Sequence, residues 1–150
     1  MPDIQLQPLT ASDHAAWHPL WRAYQTFYKS DIPEATSHVT WARLLDPDEP
    51  VYGALAVSAT HGAVGLVHWL THRSTWAIGD HCYLNDLYVA ESMRRSGIGR
   101  QLIEHVYAHA RTLGCSQVYW LTHETNATAQ RLYNAVATKT GFIHYNHPLG

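Results

Sequence analysis

Apolar and polar residues alternate along this chain in two rhythms, and the switches between them outline its elements. Ile4 to Pro8 alternates at every second position and predicts a first, edge strand ended by proline. Thr10 or Ser12 can cap a helix in which Trp17, Leu20, Trp21, Tyr24, Phe27 and Tyr28 recur at three and four, to about Tyr28. Pro19 falls inside it and should kink or split it. A loop from Lys29 to Ala35 leads to a short second helix around Ser37 to Leu45, stopped by Asp46-Pro47. Tyr52 to Ala59 reads as a strand, His61-Gly62 as a hairpin turn, Ala63 to about His72 as the returning strand and Tyr83 to Val89 as the next. Ile98, Leu102, Ile103, Val106, Ala110 and Leu113 then form one stripe of a helix that Gly114 terminates. Gln117 to Leu121 reads as a strand, and Asn126 caps a helix from Ala127 to about Lys139, closed by Gly141. Phe142 to Tyr145 completes the order β-α-α-β-β-β-α-β-α-β as a final strand. No repeat, linker or low-complexity tract interrupts it, so residues 1–150 are expected to form a single α/β domain with a mixed sheet.

The segment Arg94-Arg95-Ser96-Gly97-Ile98-Gly99-Arg100 leaves a strand and opens a helix. Such a turn presents unpaired backbone N–H groups at the positive end of the helix dipole, a site for a pyrophosphate or similar anion. Gly97 and Gly99 let the main chain approach without a Cβ in the way, and the arginines add positive charge. The spacing is neither a Walker loop, which needs Lys and Ser/Thr after the last glycine, nor a Rossmann fingerprint. The bland alternative is a basic left-handed turn between a strand and a helix.

Composition narrows the classes. A formal charge of −2 provides no electrostatic case for a nucleic-acid partner. Cys82 and Cys115 have no metal-type spacing and read as reduced thiols. Without a charged-then-apolar leader or an apolar run of membrane-spanning length, a soluble, cytoplasmic protein with no membrane partner is expected. His105 and His109 lack the adjacent Glu of a zinc-protease helix, and His68 and His72 have no obvious third ligand. Hydrogen-bonded or solvated histidines are expected there, and no metal.

Three stretches together resemble the GNAT superfamily of N-acetyltransferases: Tyr83-Leu84-Asn85-Asp86-Leu87-Tyr88-Val89, the Arg94 to Arg100 turn, and Asn126-Ala127-Thr128-Ala129-Gln130-Arg131-Leu132-Tyr133 with its later Gly141-Phe142. The histone/polyamine (diamine) acetyltransferase-like branch is the most similar, through Phe27-Tyr28 with Ile32-Pro33-Glu34, Trp41 to Leu45, and Val118 to Thr122. The resemblance implies a mostly antiparallel mixed central sheet, splayed in the middle and with helices on both faces. It implies acetyl-CoA as co-substrate, with main-chain groups of Leu87, Tyr88 and Val89 pairing with the pantetheine amides like an added strand. A splay from the following strand, often made by a bulge, opens the slot for the thioester. The turn Arg94, Arg95, Ser96, Gly97, Ile98, Gly99 and Arg100 would hold the pyrophosphate. Asn126 would bind the cofactor arm, although a plain N-cap explains it equally well.

Tyr133 is the expected general acid. Coenzyme A leaves as a thiolate with an ordinary pKa of about 8.5, against about 10 for a phenol, so a positioned phenol can hand it a proton. Packing with Ala129, Leu132 and Val136 is the structural alternative, and the seven residues between Tyr133 and Gly141 predict a longer or irregular helix end. Asp86 is the expected base, taking the proton directly or through ordered water, and binding of a backbone N–H is its structural alternative. Diamine acetyltransferases carry Glu-Asp where this chain has Asn85-Asp86, and Asn85 cannot take a proton. Glu124 is the reserve base, or a helix-start charge favoured by the dipole. Tyr28 with its π face, Asp31 and Glu34 with their charge, together with Asn85 and Glu124, are expected on the acceptor side; for residues 28–34 the structural alternative is a solvated loop anchored by Ile32 and Pro33. The expected activity is transfer of acetyl to a primary amine of a small molecule by direct attack, in a homodimer. The competing readings are a non-catalytic acyl-CoA-binding regulatory domain and a protein-lysine acetyltransferase.

Overall fold

A computed structural model describes residues 3–150. Five strands, β1 (Ile4–Pro8), β2 (Val51–Ser58), β3 (Gly62–His72), β4 (His81–Val89) and β5 (Gln117–Tyr119), lie side by side in chain order. The first four pair antiparallel, and β4 and β5 pair in parallel. Helices α1 (His14–Phe27) and α2 (Glu34–Leu45) cover one face, while α3 (Ile98–Thr112) and α4 (Ala127–Val136) cover the other.

The alternation of the strands explains the two cores. Ala54, Ala56, Val67 and Trp69 point toward the α3 stripe of Ile98, Leu102, Ile103, Val106 and Ala110. Their neighbours Leu55 and Leu66 point the other way, onto Trp17, Leu20 and Trp21 of α1 and Leu44 of α2. Each large apolar side chain so enclosed contributes about 1.5–3 kcal/mol.

One register shift matters for everything that follows. From His72↔His81 to Trp69↔Leu84 the β3–β4 pairing is regular, but His68 then pairs with Asp86, leaving Asn85 as an extra residue. This bulge reverses the alternation of β4. Cys82 and Leu84 face α3 before it, and Leu87 and Val89 face α3 after it. Asp86 is thereby turned toward α1 and α2, where a regular strand would have placed Asn85 opposite His68.

The elements differ from the sequence reading at several points. Pro19 does not split α1, which runs unbroken from His14 to Phe27. Its ring and Ala15, whose carbonyl loses its amide donor, both lie on the exposed side. Helix α2 begins at Glu34 rather than near Ser37, and Leu113 is exposed rather than part of the buried stripe of α3. Helix α4 stops at Val136, three residues before Lys139, so the end of this segment is irregular. The expected final strand, Phe142 to Tyr145, does not form. The tail beyond Val136 pairs with no strand, and Phe142 and Tyr145 are 91% and 87% exposed.

Candidate functional site

Past Tyr83↔Tyr119, β4 and β5 no longer pair, so the β4 edge from Leu84 to Val89 diverges from its neighbour. The slot opens where the bulge has rotated Asp86, and two chemically different walls meet there.

On the α1–α2 side is a cavity of about 320 Å³ whose lining includes Trp21, Thr36, Thr40, Arg43, His68, Asn85 and Asp86. Ile32, Leu44, Val51, Trp69 and Leu70 complete the lining, so apolar and polar side chains share a space of the size a small molecule needs. Asp86 is the centre of its electrostatics. Its Oδ2 lies 2.9 Å from Nδ1 of His68, and its Oδ1 accepts a hydrogen bond from Asn85 Nδ2 at 3.3 Å. Burial raises the pKa of the Tyr24 phenol, reinforced by the Asp86 charge and by a hydrogen bond to that carboxylate. Burial followed by the Asp86 charge does the same to Tyr28 and Tyr83. The loop bounding the cavity is pinned by Gln25, whose Oε1 accepts the Ile32 N–H at 2.9 Å.

On the α3 side is the glycine turn. Arg95 and Gly97 have φ of 66° and 83°, left-handed values that only glycine adopts freely. Gly97 caps α3, and the first intrahelical bond runs from the Gln101 N–H to the Gly97 carbonyl. The N–H groups of Ile98, Gly99 and Arg100 therefore have no helical acceptor. A Cβ on Gly99 would stand 3.2 Å from Leu132 Cδ2, so this glycine also lets α4 approach α3. Ser96 Oγ donates to the Met93 carbonyl and tightens the turn. The arginines divide their work. Arg94 Nε donates to the Val89 carbonyl at 3.0 Å, and its guanidinium lies 4.9 Å from the Phe27 ring centroid. Arg100 pairs with Glu104 at 2.9 Å, and Arg95 is exposed.

Tyr133, on α4, packs against the core on the α3 side of the sheet. Its ring packs edge-on against Trp120, with centroids 5.3 Å apart. Burial, aided by the nearby Tyr28 charge, pushes its pKa up to about 12. The phenol is therefore protonated throughout the neutral range, the state a proton donor must have.

Of the acceptor-side residues read from sequence, Asn85 lines the cavity beside Asp86. Tyr28, 43% exposed, is tilted against the Tyr24 ring and is not among the cavity's lining residues. The others lie elsewhere. Glu34 is engaged by Arg22 at 2.8 Å and by His18 at 3.3 Å, which lowers its pKa through those two hydrogen bonds. Asp31 is exposed in the α1–α2 loop and Glu124 is exposed before α4, both outside the cavity. Asn126 Oδ1 accepts the Ala129 N–H at 3.3 Å and caps α4. The sequence reading passed over His68, Trp17, Tyr24 and Arg43 as site residues. The signal for His68 was the antiparallel register of β3 and β4, which becomes readable only once the bulge is known.

The thiols of Cys82 and Cys115 are free. Among the described residues no group of three potential ligands could hold a metal ion, and no helix is long and apolar enough to cross a membrane. His109 and His72 are hydrogen-bonded, to the Trp69 indole and to the Tyr119 hydroxyl respectively.

Residues 16–137 match the profile of the acetyltransferase (GNAT) family. The chain is similar to the D-amino-acid N-acetyltransferase HPA3 of Saccharomyces cerevisiae, 42% identical over 95% of this chain and 89% of that protein. It is also similar to the thialysine N-epsilon-acetyltransferase of Bos taurus, 38% identical over 51% of this chain and 44% of that one. Among solved structures, the aminoglycoside N-acetyltransferase AAC(6')-Iy in complex with CoA has a TM-score of 0.85 at 16% identity. That alignment covers 100% of this chain and 97% of the other, and it shows a shared fold.

Proposed function

Because the chain belongs to the acetyltransferase (GNAT) family, we propose that it moves an acetyl group from acetyl-CoA to the primary amine of a small, carboxylate-bearing acceptor, an amino acid. The observation that carries this reading is the cavity itself, whose lining includes both a carboxylate residue, Asp86, and an exposed arginine, Arg43. An ammonium and a carboxylate on the same small molecule complement that pair. The name of the yeast relative, a D-amino-acid N-acetyltransferase, agrees with it.

The residues of the slot fit the co-substrate. The unpaired β4 edge at Leu87, Tyr88 and Val89 offers main-chain partners for the pantetheine amides, and the free N–H groups after Gly97 offer donors for the pyrophosphate. Arg95 supplies charge at the turn, while Arg94 supports it by tying the end of β4 to α1. Asn126 retains its Nδ2 donor for the cofactor arm while its Oδ1 caps the helix.

In the transfer, the acceptor ammonium gives a proton to Asp86, and the freed lone pair attacks the thioester carbonyl. The C–N bond forms, the C–S bond breaks, and the departing sulfur takes the proton of Tyr133. A second amine proton, lost as the amide forms, restores the phenol through solvent, and Asp86 releases the first to solvent. Tyr133 thus works as general acid and Asp86 as base.

A panel of amines incubated with acetyl-CoA, read by release of free thiol, tests the assignment. Amino acids should be acetylated with a higher kcat/KM than diamines lacking a carboxylate. Equal or better turnover of the diamines removes Arg43 from the recognition. Binding of acetyl-CoA without thiol release on any amine or peptide favours the regulatory-domain reading instead.

The chain is further proposed to act in the cytoplasm as a homodimer. Two free thiols support a reducing compartment. For the dimer, the support is the tail beyond Val136, which leaves Phe142, Ile143, Tyr145 and Leu149 at least 75% exposed. Light scattering should give the mass of two chains for the full protein and of one chain for a form ending at Ala137. A single-chain mass for the full protein at micromolar concentration counts against the dimer.

A further inference from the structure

Behind Asp86, three side chains form a line through the core, and the chemistry of the first determines the protonation of the second. The Trp17 indole Nε1–H can only donate, and its partner at 2.9 Å is Nε2 of His68. That nitrogen must be bare. The single proton of the neutral imidazole is then on Nδ1, which donates to Asp86 Oδ2 at 2.9 Å. The line is enclosed: Trp17 is fully buried, and the side chains of His68 and Asp86 are 4% and 14% exposed. The Trp17 and Trp21 rings flank the imidazole, with centroids 6.0 Å and 5.1 Å from it.

We propose that His68, locked in one tautomer by Trp17, is a positioning residue for acetyl transfer that orients Asp86 toward the acceptor amine. The proposal rests on the reading of Asp86 as the proton acceptor. Its physical content is twofold. The Nδ1–H bond holds Oδ2 inward, so the carboxylate cannot turn about its terminal torsion, and Oδ1, which accepts the Asn85 Nδ2–H, is the oxygen that His68 leaves for an ammonium, with the Tyr24 phenol as a further donor to the carboxylate. The Trp17 bond also keeps the imidazole neutral, since an imidazolium would need a proton on the nitrogen that Trp17 already occupies. The pair therefore retains a full negative charge at the cavity instead of cancelling it internally. The bulge at Asn85 is what makes the line possible, because it brings Asp86 rather than Asn85 opposite His68.

Two measurements test this. Proton–nitrogen correlation spectra of the imidazole side chains in the native protein should show the His68 proton on Nδ1 with Nε2 bare; a proton on Nε2 overturns the inference. In kinetics, His68→Phe should lower kcat by about tenfold to a hundredfold, as loss of an orienting partner does elsewhere, with unchanged affinity for acetyl-CoA. His68→Asn, which can place an amide donor near the Nδ1 position, should recover most of that loss. Because His68 acts through Asp86, His68→Phe should cost nothing more in an Asp86→Asn background. A further multiplicative loss there, or full turnover of His68→Phe alone, overturns the positioning role while leaving Asp86 as base. Full turnover of Asp86→Asn alone overturns both. If His68→Phe does not fold, Trp17→Phe carries the test, since it removes the tautomer lock without touching His68. It should lower kcat severalfold at unchanged acetyl-CoA affinity, and unchanged kcat would count against the lock.

Discussion

Replacing Tyr133 with phenylalanine should reduce turnover by about a hundredfold or more while leaving acetyl-CoA affinity within about twofold. The change removes one hydroxyl and keeps the ring that packs edge-on against Trp120, so α4 and the turn it supports should stay in place. Its effect should fall on kcat, because the proton is needed as the C–S bond breaks and not when the substrates bind. The same reasoning constrains the pH profile. With its pKa pushed up to about 12 by burial, the phenol stays protonated below that value and loses its proton only above it. Native turnover should therefore not decline between about pH 8 and pH 10 for want of this acid, the ordinary phenol range. Steady-state rates with a saturating amine check both points. Full turnover of the phenylalanine variant where chemistry limits the rate would reduce Tyr133 to a packing residue.

Much of the scaffold that holds these groups was legible in the sequence because its signals are local. Ile98 to Ala110 is a clean helical stripe, and Gly114 and Gly62 both adopt the left-handed conformations that their turn positions predict. What escaped depended on partners elsewhere in the fold. Phe142 to Tyr145 has the composition of a strand, but strand character is realised only against an edge, and this tail meets none. Pro19 is a breaker by rule, yet at an exposed position in a helix held by Trp17, Leu20 and Trp21 the cost of one lost backbone bond is absorbed. Glu34 looked like free charge near the acceptor until the fold brought Arg22 and His18 of α1 beside it. His68 shows the same limitation most clearly. Taken alone it is one of twelve histidines, and nothing in its neighbourhood along the chain pairs it with Trp17, fifty-one residues away, or with Asp86 across an irregular register.

The charge on Asp86 should be as important to the rate as the Tyr133 hydroxyl, and the two can be separated by how each deficit responds to pH. Asp86→Asn is nearly isosteric, and its Oδ1 can still accept the His68 Nδ1–H, so the cavity wall should survive the change. What it loses is the group that takes the ammonium proton. At neutral pH the expected cost is about a hundredfold in kcat/KM for the amine, with acetyl-CoA affinity nearly unchanged. A lysine-like primary amine has a pKa of about 10, so raising the pH supplies more of the acceptor already deprotonated and makes the base less necessary. The deficit of Asp86→Asn should therefore shrink steadily as pH approaches that value. Tyr133 remains protonated over the same range, so its own variant should show no such recovery. Paired rate–pH profiles of the two variants on one amine give the answer. A deficit in Asp86→Asn that stays constant with pH would assign Asp86 to holding the ammonium by charge alone and move the proton transfer to another group.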